Sequence, residues 1–129
     1  MTTAKPDATA VESESCFSSE ELEQFERDGL VVARGLANPA LVATMRDVAT
    51  EGLRRAVPPV EYEAELGFPG APADLDADGG RTIRRLRRAL SRHQVFTDWV
   101  TTPALVRRLR QLLGPDVVMP LAHNNCVMT

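Results

Sequence analysis

The sequence predicts an α+β fold in which helices accompany the first strands of an incomplete β-sheet. Several segments repeat apolar residues at helical spacing, between residues that typically start and stop helices. Only residues 30–33 and 117–128 have the composition of strands, whereas a stable sheet needs about three strands or a face covered by helices. We therefore expect these 129 residues to form the N-terminal part of a larger fold.

Residues 1–16 are predicted to form a disordered tail, and residues 17–129 the structured part. The tail has Val11 as its only branched apolar residue, so it cannot bury enough surface to offset the entropy lost on ordering. The sequence has neither a signal peptide pattern nor a run of about 20 apolar residues. Together with two widely separated cysteines, Cys16 and Cys126, this indicates a cytoplasmic protein with free thiols and no membrane partner.

The first helix is predicted to begin just after Ser18 and to end at Gly29. Ser18 and Glu21 have the spacing of a capping box, in which each side chain accepts a hydrogen bond from the backbone amide of the other residue. Gly29 can adopt the left-handed conformation that ends many helices. Residues 30–33 follow as a β-rich run and predict a short strand.

Two further helices are bounded by proline and glycine. Asn38 and Pro39 open the first of them, and its apolar residues recur at helical spacing until Pro58. Pro103 opens the other, which Gly114 ends.

An irregular segment and an arginine-rich segment lie between these helices. Residues 58–80 contain four prolines and four glycines, and predict a long loop that docks on the body through Tyr62, Leu66 and Phe68. Residues 81–92 predict a helix with apolar residues on one face and arginines around the rest.

The last strand, at residues 117–128, is predicted to lack a partner hairpin. An unpaired strand edge offers free backbone groups to another chain. Self-association through this edge is therefore expected.

Charge is divided unevenly along the chain. Residues 1–80 carry 16 acidic and 6 basic side chains, whereas residues 81–129 carry 2 acidic and 9 basic ones. The arginine excess has two readings: salt bridges to the acidic half, or a surface for an acidic partner. A pI near 5.4 and the absence of aromatic residues among the arginines argue against nucleic acid as the partner.

Side chains able to do chemistry are sparse. His93 and His123 are the only histidines, and neither begins a His-x-carboxylate pair of the kind that holds non-haem iron. No residue is therefore predicted to be catalytic or to bind metal, and capping or core hydrogen bonds are the expected histidine roles. Asp74, Asp76 and Asp78 resemble the start of a calcium loop, but no Glu follows at the twelfth position, which favours a solvated loop.

Four segments occur in a recognisable order. Residues 17–36 contain a capped helix, Asp-Gly, a short apolar run and Arg-Gly. With residues 62–72, 80–86 and 122–129, they resemble successive segments of bacterial members of the phytanoyl-CoA dioxygenase family. The resemblance covers about residues 17–129.

The resemblance implies the N-terminal helices and first strands of a double-stranded β-helix of the jelly-roll or cupin type. It also implies an enzyme that uses Fe(II) and 2-oxoglutarate to oxidise a small organic substrate. The family's His-x-Asp pair and distal His have no counterpart here, so this chain is expected to bind neither cofactor by itself.

Four residues are carried over as pocket residues. His123 and Asn125 alternate onto one face of a strand and could point into the barrel, and Arg81 and Arg84 accompany them. The other reading, given at least equal weight, is that His123 and Asn125 satisfy buried polar partners.

Two functions remain. The first is the N-terminal portion of a non-haem iron, 2-oxoglutarate-dependent dioxygenase, inactive as this fragment. The alternative is a small interaction or regulatory module that binds an acidic partner through its arginine-rich helix.

Overall fold

The computed structural model describes residues 16–120 and 124–127. They fall into two compact units, the first made of residues 16–38 and 98–118 and the second of residues 39–97, 119–120 and 124–127. The predicted tail lies outside the described residues, apart from the half-buried Cys16. No helix in the described ranges is long and apolar enough to cross a membrane.

The regular elements are short. In chain order they are helix α1 (Ser19–Asp28), helix α2 (Pro39–Arg54), strand β1 (Val60–Tyr62), strand β2 (Ile83–Leu86), helix α3 (Gln94–Val100), helix α4 (Pro103–Leu113) and strand β3 (Cys126–Val127). Single turns of 3-10 helix occupy Glu63–Glu65 and Ala89–Ser91.

Helix α1 in the first unit has the boundaries that its sequence predicts. The Glu21 amide donates to Ser18 Oγ at 3.2 Å, and the Ser18 amide donates to Glu21 Oε2 at 2.8 Å. Gly29 ends the helix in the left-handed conformation, with φ 73°, and donates to the Phe25 carbonyl at 2.8 Å. The predicted capping box and glycine stop are confirmed.

Three contacts fix the segment before α1 to helix α4. Gln111 accepts from the Phe17 amide at 2.6 Å and donates to the Phe17 carbonyl at 3.1 Å. The Arg108 guanidinium carbon lies 5.5 Å from the centroid of the Phe17 ring, within cation–π range. Helix α4 begins at Pro103 and stops before Gly114, as predicted.

The strand predicted at residues 30–33 is wrong. These residues have no regular structure, and Leu30 and Val32 are 57% and 60% exposed. A strand needs a hydrogen-bonded neighbour, and all three strands in the described residues belong to the second unit. Residues 30–33 therefore have β propensity but no described strand in their own unit with which to pair.

The second unit contains a three-stranded antiparallel sheet in the order β1-β2-β3. Leu86 at the end of β2 lies opposite Val60 on one side and Cys126 on the other. The sheet thus joins three segments that are distant in sequence. Whether it continues into a double-stranded β-helix stays a prediction.

The helix predicted at residues 81–92 is wrong, because residues 83–86 form the central strand. The pairing of Glu61 with Arg85 and of Tyr62 with Ile83 leaves one extra residue, Arg84, in β2. Such a bulge sets Ile83 and Leu86 three residues apart and gives a strand the apolar spacing of a helix.

The core of this unit is small. Among the described residues, the buried hydrophobic side chains are Leu86, Ala89, Val95 and Phe96, of which only Leu86 is fully buried. Half-buried apolar side chains pack against the last three of them: Leu41, Met45, Val48, Leu90 and Cys126. Helix α2 begins at Pro39 as predicted but ends at Arg54, before Pro58, and it supplies three of these neighbours.

Two other predictions are partly corrected. The segment 58–80 is not wholly a loop, because it contains β1 and a 3-10 turn, and Tyr62 and Leu66 are half-buried there. The last strand is limited to Cys126–Val127 and is paired with β2, so it does not lack a partner. Residues 121–123 and 128 of its predicted span lie outside the described residues.

Candidate functional site

The candidate site is a cleft of about 320 Å³ in the second unit, which we call the arginine cleft. It opens between the C-terminal half of α2, the turn after it, and the segment that follows β2. Its lining residues are Val48, Gly52, Val57, Pro58, Pro59, Arg88, Ser91 and Arg92. No carboxylate is among them, so the cleft combines apolar walls with two cations.

Arg92 holds the two sides of the cleft together. Its Nε donates to the Arg87 carbonyl and its Nη1 to the Val57 carbonyl, both at 2.8 Å. Its Nη2 donates to the Pro59 carbonyl, on the far side of the cis Pro58–Pro59 peptide bond. A guanidinium that binds three carbonyls fixes the relative positions of the segments that carry them.

Arg88 stands on an unusual backbone. Its φ and ψ are both 57°, in the left-handed region that non-glycine residues rarely adopt. The Arg88 amide donates to Asn125 Oδ1 at 3.2 Å. The next two amides, of Ala89 and Leu90, donate to the carbonyl and Oδ1 of Asn124, at 2.7 and 3.0 Å. The two asparagines before β3 therefore hold the turn that presents Arg88.

The predicted pocket residues do not form a pocket. Asn125 instead satisfies a polar partner, as in the alternative reading, because its side chain accepts a hydrogen bond from the Arg88 amide. The exposed Arg81 pairs with Asp76, with 2.9 Å between Nη2 and Oδ1. Arg84 pairs with Glu63 at 3.6 Å and lies 5.3 Å from the centroid of the Phe68 ring. His123 lies outside the described residues.

A third ion pair lies across the sheet. Arg85 Nη1 is 3.2 Å from Glu61 Oε1, and these residues are directly opposite each other in β2 and β1. Glu61 Oε1 is buried and receives no hydrogen bond from the described residues. The contact is therefore an ion pair without a hydrogen bond. The predicted attraction between the basic and acidic halves is confirmed at Arg81, Arg84 and Arg85.

The remaining chemical candidates have structural partners. Asp74 Oδ1 accepts from the amides of Asp76 and Ala77 at 2.9 and 2.8 Å, which makes a local turn. His93 Nδ1 accepts from the Val95 amide at 3.1 Å at the start of α3, which confirms the capping role expected for it. Burial raises the pKa of the Cys126 thiol, and the positive charge of Arg92 opposes this shift less strongly.

Arg88, Ser91 and Arg92 were not singled out from the sequence as a site. Arg88 and Arg92 were counted among the arginines of a solvated helix. Their convergence depends on a left-handed residue and on asparagines about 35 positions away, so no local pattern signals it.

Comparison with known proteins gives no relative: no family model, curated protein or solved structure matches this chain.

Proposed function

We propose that this chain provides the N-terminal helices and first strands of a cytoplasmic, non-haem iron, 2-oxoglutarate-dependent dioxygenase that oxidises a small organic substrate. One observation carries the proposal. Three of the four segments that resemble the phytanoyl-CoA dioxygenase family each contribute to one sheet: Tyr62 in β1, Ile83–Leu86 in β2 and Cys126–Val127 in β3. Three segments that are distant in sequence are thus hydrogen-bonded neighbours in one sheet.

The iron does not fit the described residues as a ligand set. No group of three or more His, Cys, Asp or Glu side chains within residues 16–120 and 124–127 is placed to hold a metal ion. The arginines carried over as pocket residues fit 2-oxoglutarate no better, because Arg81 and Arg84 each face a carboxylate of this chain. The proposal therefore gives this chain a structural role, with no catalytic step assigned to its residues.

The alternative function, a module that binds an acidic partner through an arginine-rich helix, loses the helix on which it depends. Residues 83–86 form a strand, and the arginines of that strand are paired with Glu61 and Glu63.

The test compares the 129-residue chain with the intact product of its native gene. Each is mixed anaerobically with Fe(II) and 2-oxoglutarate, and the visible charge-transfer absorption of the Fe(II)–2-oxoglutarate chelate is recorded. Succinate is then measured after oxygen is admitted.

We expect the native product to be heavier than 14.1 kDa and to show the absorption band and succinate, while the chain alone shows neither. A native product of 14.1 kDa would overturn the proposal, and so would a heavier product without the band. Turnover by the chain alone would overturn the structural role.

A further inference from the structure

The arginine cleft contains an exposed cation, Arg88, that makes no ion pair with the described residues. Arg81, Arg84 and Arg85 each face a carboxylate, but the Arg88 guanidinium has no ion-pair partner in the part of the chain that the structure describes. The backbone conformation at position 88 does not explain why an arginine occurs there, because glycine would adopt φ 57° more easily. The side chain is therefore not required by the turn that carries it.

Arg92 adds a second positive charge at the same cleft. Three of the five N–H groups of its guanidinium bind carbonyl oxygens, which leaves two without those partners. Its hydrogen bonds to Val57 and Pro59 keep it in place before any ligand arrives. A fixed donor loses little conformational entropy when it binds an anion.

The remaining lining defines the rest of the ligand. Val48, Val57, Pro58 and Pro59 give apolar wall, and Ser91 gives one hydroxyl near the cations. A volume of about 320 Å³ is at the lower end of the range for small-molecule sites. The combination suits a compact ligand with one anionic group and one apolar part.

We propose that the arginine cleft binds a small organic anion, with a carboxylate or phosphate group on Arg88 and Arg92 and an apolar portion against the valine and proline wall. Ser91 donates a further hydrogen bond to the anionic group. This site is independent of the proposed dioxygenase function, because it needs neither iron nor 2-oxoglutarate.

The test is an NMR titration of the ¹⁵N-labelled chain near neutral pH and at about 0.15 M salt, where distant charges are screened. Benzoate is the probe, benzamide is its neutral counterpart of the same shape, and inorganic phosphate is an anion without an apolar part. A ligand of this size in a preformed cleft is expected to have a Kd on the order of millimolar. We expect benzoate to shift the amides of the lining residues saturably, and to bind about tenfold tighter than benzamide or phosphate.

Two substitutions at Arg88 remove the guanidinium in different ways. Arg88→Gln keeps a polar side chain, whereas Arg88→Gly also relieves the left-handed conformation and should not lower the melting temperature. Both should weaken benzoate binding about tenfold, the loss expected for one charge-assisted contact. The matched control is Arg87→Gln, which makes the same charge change at an exposed residue that does not line the cleft, and should alter binding less than twofold.

Three results would overturn the site. They are equal binding of benzoate and benzamide, undiminished binding to folded Arg88→Gly, and equal losses in Arg87→Gln and Arg88→Gln. Phosphate binding as tight as benzoate would overturn the apolar half of the ligand.

Discussion

Replacing Leu86 with alanine should destabilise the second unit more than any other single truncation of a leucine in it. Leu86 is 0% exposed and lies between β1 and β3 in the central strand. Removing three carbon groups costs about 0.8 kcal/mol for each one, and a term for the cavity adds to this. The helix on that side offers no side chain to fill the space, because Gly52 faces Leu86 there: a Cβ on Gly52 would lie 3.3 Å from Leu86 Cδ1.

We therefore expect Leu86→Ala to lower the free energy of unfolding by about 3 kcal/mol, within the range of roughly 2–5 kcal/mol typical of such changes. Domains of this size have a total stability of about 5–15 kcal/mol, so the loss is a large fraction of it. The assay is urea unfolding followed by circular dichroism, in which the midpoint should fall while the slope stays constant.

Leu113→Ala is the matched control, because it deletes the same atoms from a side chain that is 65% exposed. It should cost less than about 0.5 kcal/mol. Equal losses in the two variants, or a loss below about 1 kcal/mol at Leu86, would show that the small core does not hold this sheet together.

Two further predictions concern a close backbone approach and a buried thiol. Gly80→Ala should lower the free energy of unfolding in urea by about 2–3 kcal/mol, because the new Cβ would lie 2.1 Å from the Asp74 carbonyl oxygen. Gly67→Ala is the control, and it should cost only about 1 kcal/mol because Gly67 has φ 61° but open space around it. A smaller loss at Gly80 than at Gly67 would contradict this reasoning. The raised pKa of Cys126 means that the folded state favours the neutral thiol, so its contribution is complete below the ordinary value of about 9.0 and is lost as pH rises through the higher folded pKa. The unfolding free energy should therefore decline above about pH 9 more steeply in the native chain than in Cys126→Ala, and equal slopes would exclude the effect.

Helix boundaries could be predicted because their signals are local. Ser18 and Glu21 are three residues apart and satisfy each other's amides, and Gly29 acts within its own helix. Helix α3 was missed because its first turn is capped by His93, a residue that is not typical of helix starts.

The sheet could not be predicted, because its pairing is non-local and its central strand is irregular. Residues 60–62 are too short a run to be distinguished from a proline-rich loop, and β3 joins β2 from 40 positions away. The bulge at Arg84 then gives the central strand a helix-like apolar spacing. Ion pairing between the two halves was easier to predict than strand pairing, since it follows from their unequal charge composition.

The structure divides the arginines of residues 81–92 by what they contact, and this division decides which of them can bind a ligand. Arg84 and Arg85 face carboxylates of the acidic half, and the Glu61 atom beside Arg85 is buried, so removing Arg85 would leave a buried charge without its partner. These arginines therefore stabilise the pairing of β1 with β2. Arg88 makes no ion pair with a carboxylate among the described residues. Its backbone is nevertheless held in an unfavourable conformation by hydrogen bonds from its turn to two asparagines. Arg85 and Arg88 carry the same charge, so charge alone does not distinguish them. Substitution at Arg85 should change stability, whereas substitution at Arg88 should change affinity for the anion.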